Sequence, residues 1–130
     1  MDQESPSLRV LIVDDESLIR WSVAETLGAA GHAVLEAADG ATALRTLTEV
    51  SDPVDVVLLD FRLPDSNDLT LLANIRRLTP LSAVVLMSAY GTPEVTKGAL
   101  ALGVYRVLNK PIDMHDVGLL VLQADASRSH

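Results

Sequence analysis

A doubly wound α/β domain is the fold this sequence predicts, and three observations predict it. Short apolar runs rich in β-branched residues recur along the chain, segments of helical spacing lie between them, and the two kinds alternate five times within 130 residues. A crossover between parallel strands of one sheet is right-handed, so this alternation gives a parallel sheet with helices packed on both faces. The length suits one domain large enough to bury a real core.

The first run, LRVLIV (8–13), reads as a buried strand. Ile19, Val23, Leu27 and Ala30 then recur every three or four residues, as on one face of a helix that Gly31 would end. HAVLEA (32–37) is a second, weaker strand, followed by a helical segment at 41–50. VDVVLL (54–59) is the third strand, and Leu71, Ile75 and Leu78 mark the third helix. SAVVLM (82–87) is the fourth strand, and the helix predicted at 93–102 has Pro93 suited to its first turn. VYRVLN (104–109) is the fifth, and a helix runs from 114 to about 126 with Asp113 placed as its N-cap. The domain is accordingly set at 8–126, with 1–7 a flexible N-terminal tail and 127–130 a C-terminal tail or the start of a linker; the ending QADASRSH is polar and reads as unstructured.

Composition narrows the class. Apolar residues make up 48% of the chain, yet no stretch approaches the ~20 uninterrupted apolar residues of a membrane span, so no membrane association is expected. The opening MDQESPS lacks the positive flank and apolar segment of a secretion signal, and there is no cysteine, which fits a cytoplasmic location. A net charge of −8 argues against direct nucleic-acid binding, which needs clustered Lys and Arg. His32, His115 and His130 are scattered without metal-ligand spacing and read as surface or core.

In a doubly wound sheet, ligands bind in the crevice beyond the carboxyl ends of the strands. Here those ends carry Asp14 and Asp15 after the first strand, Asp60 after the third, Ser88 after the fourth and Lys110 after the fifth. Singly, each is an ordinary turn residue. Together, three carboxylates repel one another unless a cation compensates them. Mg²⁺ fits, since it takes oxygen ligands and commonly joins one or two carboxylates to phosphate oxygens. Asp60, alone at the end of a buried strand, is the candidate nucleophile toward phosphorus. The adjacent Asp14 and Asp15 are placed to hold the metal, Lys110 to neutralise phosphoryl oxygens and Ser88 to donate a hydroxyl.

These residues sit in VDDE, LLDFRLPD, MSAYGT and NKP, and the ordered set resembles the response-regulator receiver family over about residues 8–123. The resemblance implies a five-stranded flavodoxin-like (βα)5 fold with strand order 2-1-3-4-5. It implies phosphorylation of Asp60 by a sensor histidine kinase with Mg²⁺, and relay to an effector domain or downstream protein. It makes Asp15 a direct Mg²⁺ ligand and Asp14 one acting largely through water, with the backbone carbonyl of Arg62 completing the set. Ser88, Lys110 and the Ala89 backbone N–H would bind the phosphoryl group, and the Lys110–Pro111 peptide would be cis. Such a domain assists its own phosphorylation and dephosphorylation without being a conventional enzyme. Homodimerisation on activation is a family-level expectation, as is output through the face formed by the fourth helix, fifth strand and fifth helix. SLIRWSV (17–23) and AYGT (89–92) look most like the nitrogen-regulator type, whose receivers often precede an ATPase and a DNA-binding module and so serve transcription regulation.

Three positions depart from the family pattern. Val107 stands where many receivers carry a switch Tyr or Phe; Tyr105, two residues earlier, is expected on the same face of the strand. The signal is therefore expected to pass through Ser88 and the fourth helix. Asp68 takes a place often held by Gly. Arg62 and Tyr90, both bulky, occupy positions that tune acyl-phosphate hydrolysis in the family, so a long-lived phosphorylated state is expected. Trp21, the lone tryptophan, is read as packing in preference to a kinase-docking residue.

Two rival classes fit the fold. A receiver-like protein-binding module that needs no phosphorylation gains from the absent aromatic, but every group needed for phosphoryl chemistry is present. An Asp-nucleophile phosphatase normally has its nucleophile after the first strand and a cap for its substrate, which this chain lacks; a flavin site is disfavoured by the acids of DDES.

Overall fold

The computed structural model describes residues 7–89 and 91–128. The elements are β1 (Arg9–Val13), α1 (Ser17–Ala29), β2 (Ala33–Ala37), α2 (Gly40–Glu49), β3 (Val56–Asp60), α3 (Thr70–Leu78), β4 (Ala83–Ser88), α4 (Pro93–Ala101), β5 (Arg106–Asn109) and α5 (Met114–Ala126). The strands form one sheet in the order β2-β1-β3-β4-β5, and every neighbouring pair is parallel. Every residue of β3 and β4 is buried, as continuous apolar runs in the middle of a parallel sheet require.

Alternation along the strands divides the core into two layers. Leu11, Val57, Leu59, Val84 and Leu86 face Ala43 and Leu47 of α2, Leu72 and Ile75 of α3 and Ala99 of α4. Val10, Ile12, Val56, Leu58, Val85 and Met87 face Val23 and Leu27 of α1 and Val117, Val121 and Ala124 of α5. Leu58→Ala, at a site 1% exposed, removes a fully packed side chain and costs ~2–5 kcal/mol on the general scale for such cavities.

Polar residues set the helix ends. Asp39 accepts from Thr42 N at the start of α2, Thr92 from Val95 N before Pro93 in α4, and Asp113 from His115 N at α5. Gly31 and Gly103, both at φ +93°, turn the chain out of α1 and α4. The polar ending contributes more than a tail: Gln123 to Ala126 form the last turn of α5, with Ala124 buried. Arg128 beyond it donates to the Leu81 carbonyl and to Asp55.

Two expectations are corrected, for Tyr105 and Trp21, and the departure at Asp68 is accounted for. Tyr105 does not share a face with Val107: Val107 packs toward α3 and α4, Tyr105 toward the α1/α5 layer. The cause is local, because the ladder of β5 begins at Arg106 and Tyr105 lies in the bend before it, outside the two-residue alternation. Trp21 is not packed, being 59% exposed on α1 beside Leu18 at 70%. Asp68 needs no left-handed backbone, since among the described residues only glycines have positive φ. Its carboxylate accepts from Thr70 N, the first N–H of α3, a contact glycine could not make. The expected roles of Tyr90 and His130 lie outside the described residues.

One contact ties α4 to the loop after β3. A Cβ built on Gly98 would come within 2.6 Å of Leu69 Cδ1, so the leucine occupies the notch that the glycine leaves. Alanine in a helix interior normally gains ~1 kcal/mol over glycine. Gly98→Ala is expected to gain less than this or to destabilise, because Leu69 must move. In a Leu69→Ala background the propensity gain should return, a coupling of ~0.5–2 kcal/mol measurable as a double-mutant cycle by denaturant unfolding.

Candidate functional site

The carboxyl ends of β1, β3, β4 and β5 bring the predicted residues into one crevice. Parallel register places Asp60 beside Met87 and Ser88 beside Asn109, while Lys110 follows directly, its N–H donating to the Ser88 carbonyl at 2.9 Å. Asp60 and Ser88 are the last residues of their strands, not the first after them, so backbone pairing holds both.

Asp14 is fully buried and firmly held. Its N–H donates to the Ala37 carbonyl, its Oδ1 accepts from Glu16 N at 2.9 Å, and its own carbonyl accepts from Arg20 Nη1 at 2.7 Å. Asp15, next in the chain, is exposed. One carboxylate oxygen from each of Asp14, Asp15 and Asp60 lies within 4.8 Å of the others.

Lys110 neutralises part of this charge. Its Nζ donates to Asp60 Oδ2 at 3.1 Å and to Glu16 Oε1 at 3.2 Å, and lies 2.9 Å from Asp14 Oδ2. The last contact is ionic and off the hydrogen-bond direction, so Asp14 Oδ2 has no aligned donor among the described residues although it is buried. A buried carboxylate oxygen without a donor, facing two further carboxylates, fits a hard divalent cation. The Lys110–Pro111 peptide is cis.

Burial pushes the Asp60 carboxyl above its ordinary range; the hydrogen bond from Lys110 opposes this, and the charge of Asp14 adds to it. For Lys110, burial alone would lower the value, but the close carboxylates of Asp14 and Asp60 outweigh it and the net direction is up. The lysine is therefore a fixed positive charge at neutral pH.

Of the remaining predicted residues, Ser88 is buried beside Asp60's strand and Ala89 is exposed just beyond it. Arg62 is exposed, and its backbone N–H donates to Asp60 Oδ1 at 3.2 Å. Two residues were missed by the sequence reading. Glu16 reaches Lys110 across 94 positions, and the only local signal was a third acid in VDDE. Asp65, in the loop after β3, accepts from Gly40 N at 2.8 Å and Ala41 N at 3.0 Å, fastening that loop to the start of α2.

The model of the response regulator receiver domain matches residues 10–121. The chain belongs to that family. This receiver is 34% identical over 115 residues to the DNA-binding transcriptional regulator NtrC of Escherichia coli K12, an alignment covering 88% of this chain and 24% of NtrC. It is 33% identical over 110 residues to the chemotaxis protein CheY of Treponema pallidum, covering 84% of this chain and 76% of CheY. A solved CheY-like receiver domain from Methanospirillum hungatei JF-1 superposes with a TM-score of 0.84 at 25% identity, covering 93% of this chain and 98% of that one. The chain thus spans 24% of the length of NtrC and 25% of that of the E. coli regulatory protein AtoC. Similarity to NtrC agrees with the nitrogen-regulator character of SLIRWSV and AYGT.

The receiver's acid cluster carries a stability cost with a definite pH dependence. Since the folded-state value for Asp60 exceeds its ordinary 3.8, the folded protein binds this proton more tightly than the unfolded one. Asp60's contribution therefore favours folding below the ordinary value and is lost as pH rises through the raised one. In metal-free buffer at pH 7, Asp60→Asn should raise the thermal midpoint by ~2–5 °C, and the gain should shrink as pH falls through the carboxylate range.

Proposed function

We propose that this receiver is switched by transfer of a phosphoryl group to Asp60, from a sensor histidine kinase and with Mg²⁺ bound. The observation that carries the reading is the juxtaposition at Asp60: an ammonium 3.1 Å from its Oδ2, and oxygens of Asp14 and Asp15 within 4.8 Å of one of its carboxylate oxygens. A lone buried carboxylate is a poor acceptor of a dianion. One flanked by a fixed cation and by ligands for a second cation is a good one.

Each residue then has a task. Asp14, Asp15, Asp60 and the carbonyl of Arg62 would hold the Mg²⁺, Asp15 directly and Asp14 largely through water. The metal supplies positive charge that neutralises phosphoryl oxygens. Asp60 attacks phosphorus and becomes an acyl phosphate. Lys110 stabilises the transferred group's charge, and the Ser88 hydroxyl and Ala89 N–H donate to its oxygens. The protein assists this transfer and its reversal by water without acting on an external substrate, so it is not a conventional enzyme.

Phosphorylation favours one of two conformations by contacting them differently. With Val107 where a switch aromatic stands in many receivers, the route outward runs through Ser88 to α4. The output is an effector domain or partner protein, serving transcription regulation if it is of the NtrC kind, in the cytoplasm; a second copy of the chain is a further partner on activation. The acidic surface argues against nucleic-acid binding by the receiver itself. Among the described residues, no helix is long and apolar enough to cross a membrane.

Intact mass after incubation with MgCl₂ and acetyl phosphate tests the reading. One phosphoryl mass should appear in the wild type and be absent in Asp60→Asn and in EDTA. No gain by a folded, Mg²⁺-bound protein would favour the binding-module alternative, and gain that persists in Asp60→Asn would mean another acceptor. Arg62 beside the acceptor hinders an attacking water, so after donor removal the phosphoryl mass should persist far beyond seconds; loss within seconds overturns that part.

A further inference from the structure

Lys110 is already surrounded before any phosphoryl group arrives. Oxygens of Asp14, Asp60 and Glu16 lie at 2.9, 3.1 and 3.2 Å from Nζ, as many close partners as an ammonium has hydrogens. Asp60 and Glu16 take its hydrogen bonds and Asp14 adds an ionic contact, so a phosphoryl oxygen competes with them for this lysine. Asp14 is fully buried and fixed by its backbone contacts, and Asp60 is the acceptor itself. Glu16 is the loose partner, with a side chain 62% exposed. It stands at the N-cap of α1 yet makes no capping hydrogen bond there, so its carboxylate is free to extend across the crevice to β5's end.

We infer that Glu16 is a placeholder for the incoming phosphoryl group: its carboxylate occupies Lys110 in the resting state, competes with an anionic phosphodonor and leaves when Asp60 is phosphorylated. The inference rests on the phosphorylation reading above and adds a positioning residue to it. With Asp14 and Asp60, Glu16 makes three carboxylates around one lysine, so it also opposes the approach of a dianion. In the transfer itself an Asp60 oxygen forms the new bond to phosphorus, and the bond from phosphorus to the donor's acetate oxygen breaks. Acetate leaves with the electron pair, and Lys110 transfers its hydrogen bond from Glu16 to a phosphoryl oxygen.

The test compares wild type, Glu16→Gln and, as a control on the same helix, Glu25→Gln, all in saturating MgCl₂. Glu16→Gln should take up the phosphoryl group from acetyl phosphate ~3–10-fold faster, the range expected for removing one partly screened charge near a dianion. The acceleration should be smaller with phosphoramidate, a less charged donor, and smaller at high salt, and Glu25→Gln should match wild type. An unchanged or slower rate, or equal acceleration for both donors, overturns the proposal, since a merely structural role would not depend on donor charge. If the wild type gains no phosphoryl mass, the phosphorylation reading fails. The placeholder contact is still decided by the Lys110 ammonium NMR signal, which must shift in Glu16→Gln and stay in place in Glu25→Gln.

Discussion

The ammonium of Lys110 among buried carboxylates is the interaction on which the rest of the site depends. A carboxylate as buried as Asp14 or Asp60 loses most of its hydration, and bringing two together adds repulsion. Lys110 offsets part of that cost, and the Glu16 and Arg62 backbone N–H groups offset another part by donating to Asp14 and Asp60. The balance is incomplete, as the raised Asp60 and the donorless Asp14 oxygen both indicate. An incompletely balanced cluster is poorly designed for stability and suited to binding positive charge.

The sheet makes this arrangement affordable. β3 and β4 are buried along their whole length, and they present Asp60 and Ser88 at their ends with the backbone already paired. Two apolar layers hold the strands in register, so that a one-residue slip would turn every core side chain to the wrong face. Asp60 thus rests on the buried centre of the sheet, and its partners come from loops and from the adjoining strand ends.

The periphery is less uniform. α4 buries only Ala99 and meets the loop after β3 through the Leu69–Gly98 notch. That same loop is fastened at its other side by Asp65 to the start of α2. At the far end of the sheet, Asp55 accepts from both Arg9 N and Arg128, and Arg76 donates to the carbonyls of Ser82 and Leu102. Contacts of this kind hold the base while leaving the α4 side lightly packed, the distribution expected where a local event at Asp60 has to change an outer surface.

The alternation of strands and helices, the two-layer core and the strand-end set of Asp14, Asp15, Asp60, Ser88 and Lys110 were legible because each depends on a local period or on a residue's place relative to its own strand. The family resemblance added the strand order, which no local pattern contains. Other features belonged to the folded chain alone. Tyr105 and Val107 look like same-face neighbours until the sheet decides that pairing starts at Arg106. Asp68 looks like a misplaced glycine until its carboxylate is seen to accept from Thr70 N at the start of α3. Glu16 looks like an ordinary helix start, and Asp65 and Gly98 like loop and helix fillers. Their roles come from contacts between segments far apart in sequence, selected by packing distance and not by composition. Sequence by itself determined what chemistry the crevice could hold; the tertiary structure decided which partners already occupy it, because only folding brings residue 16 to residue 110.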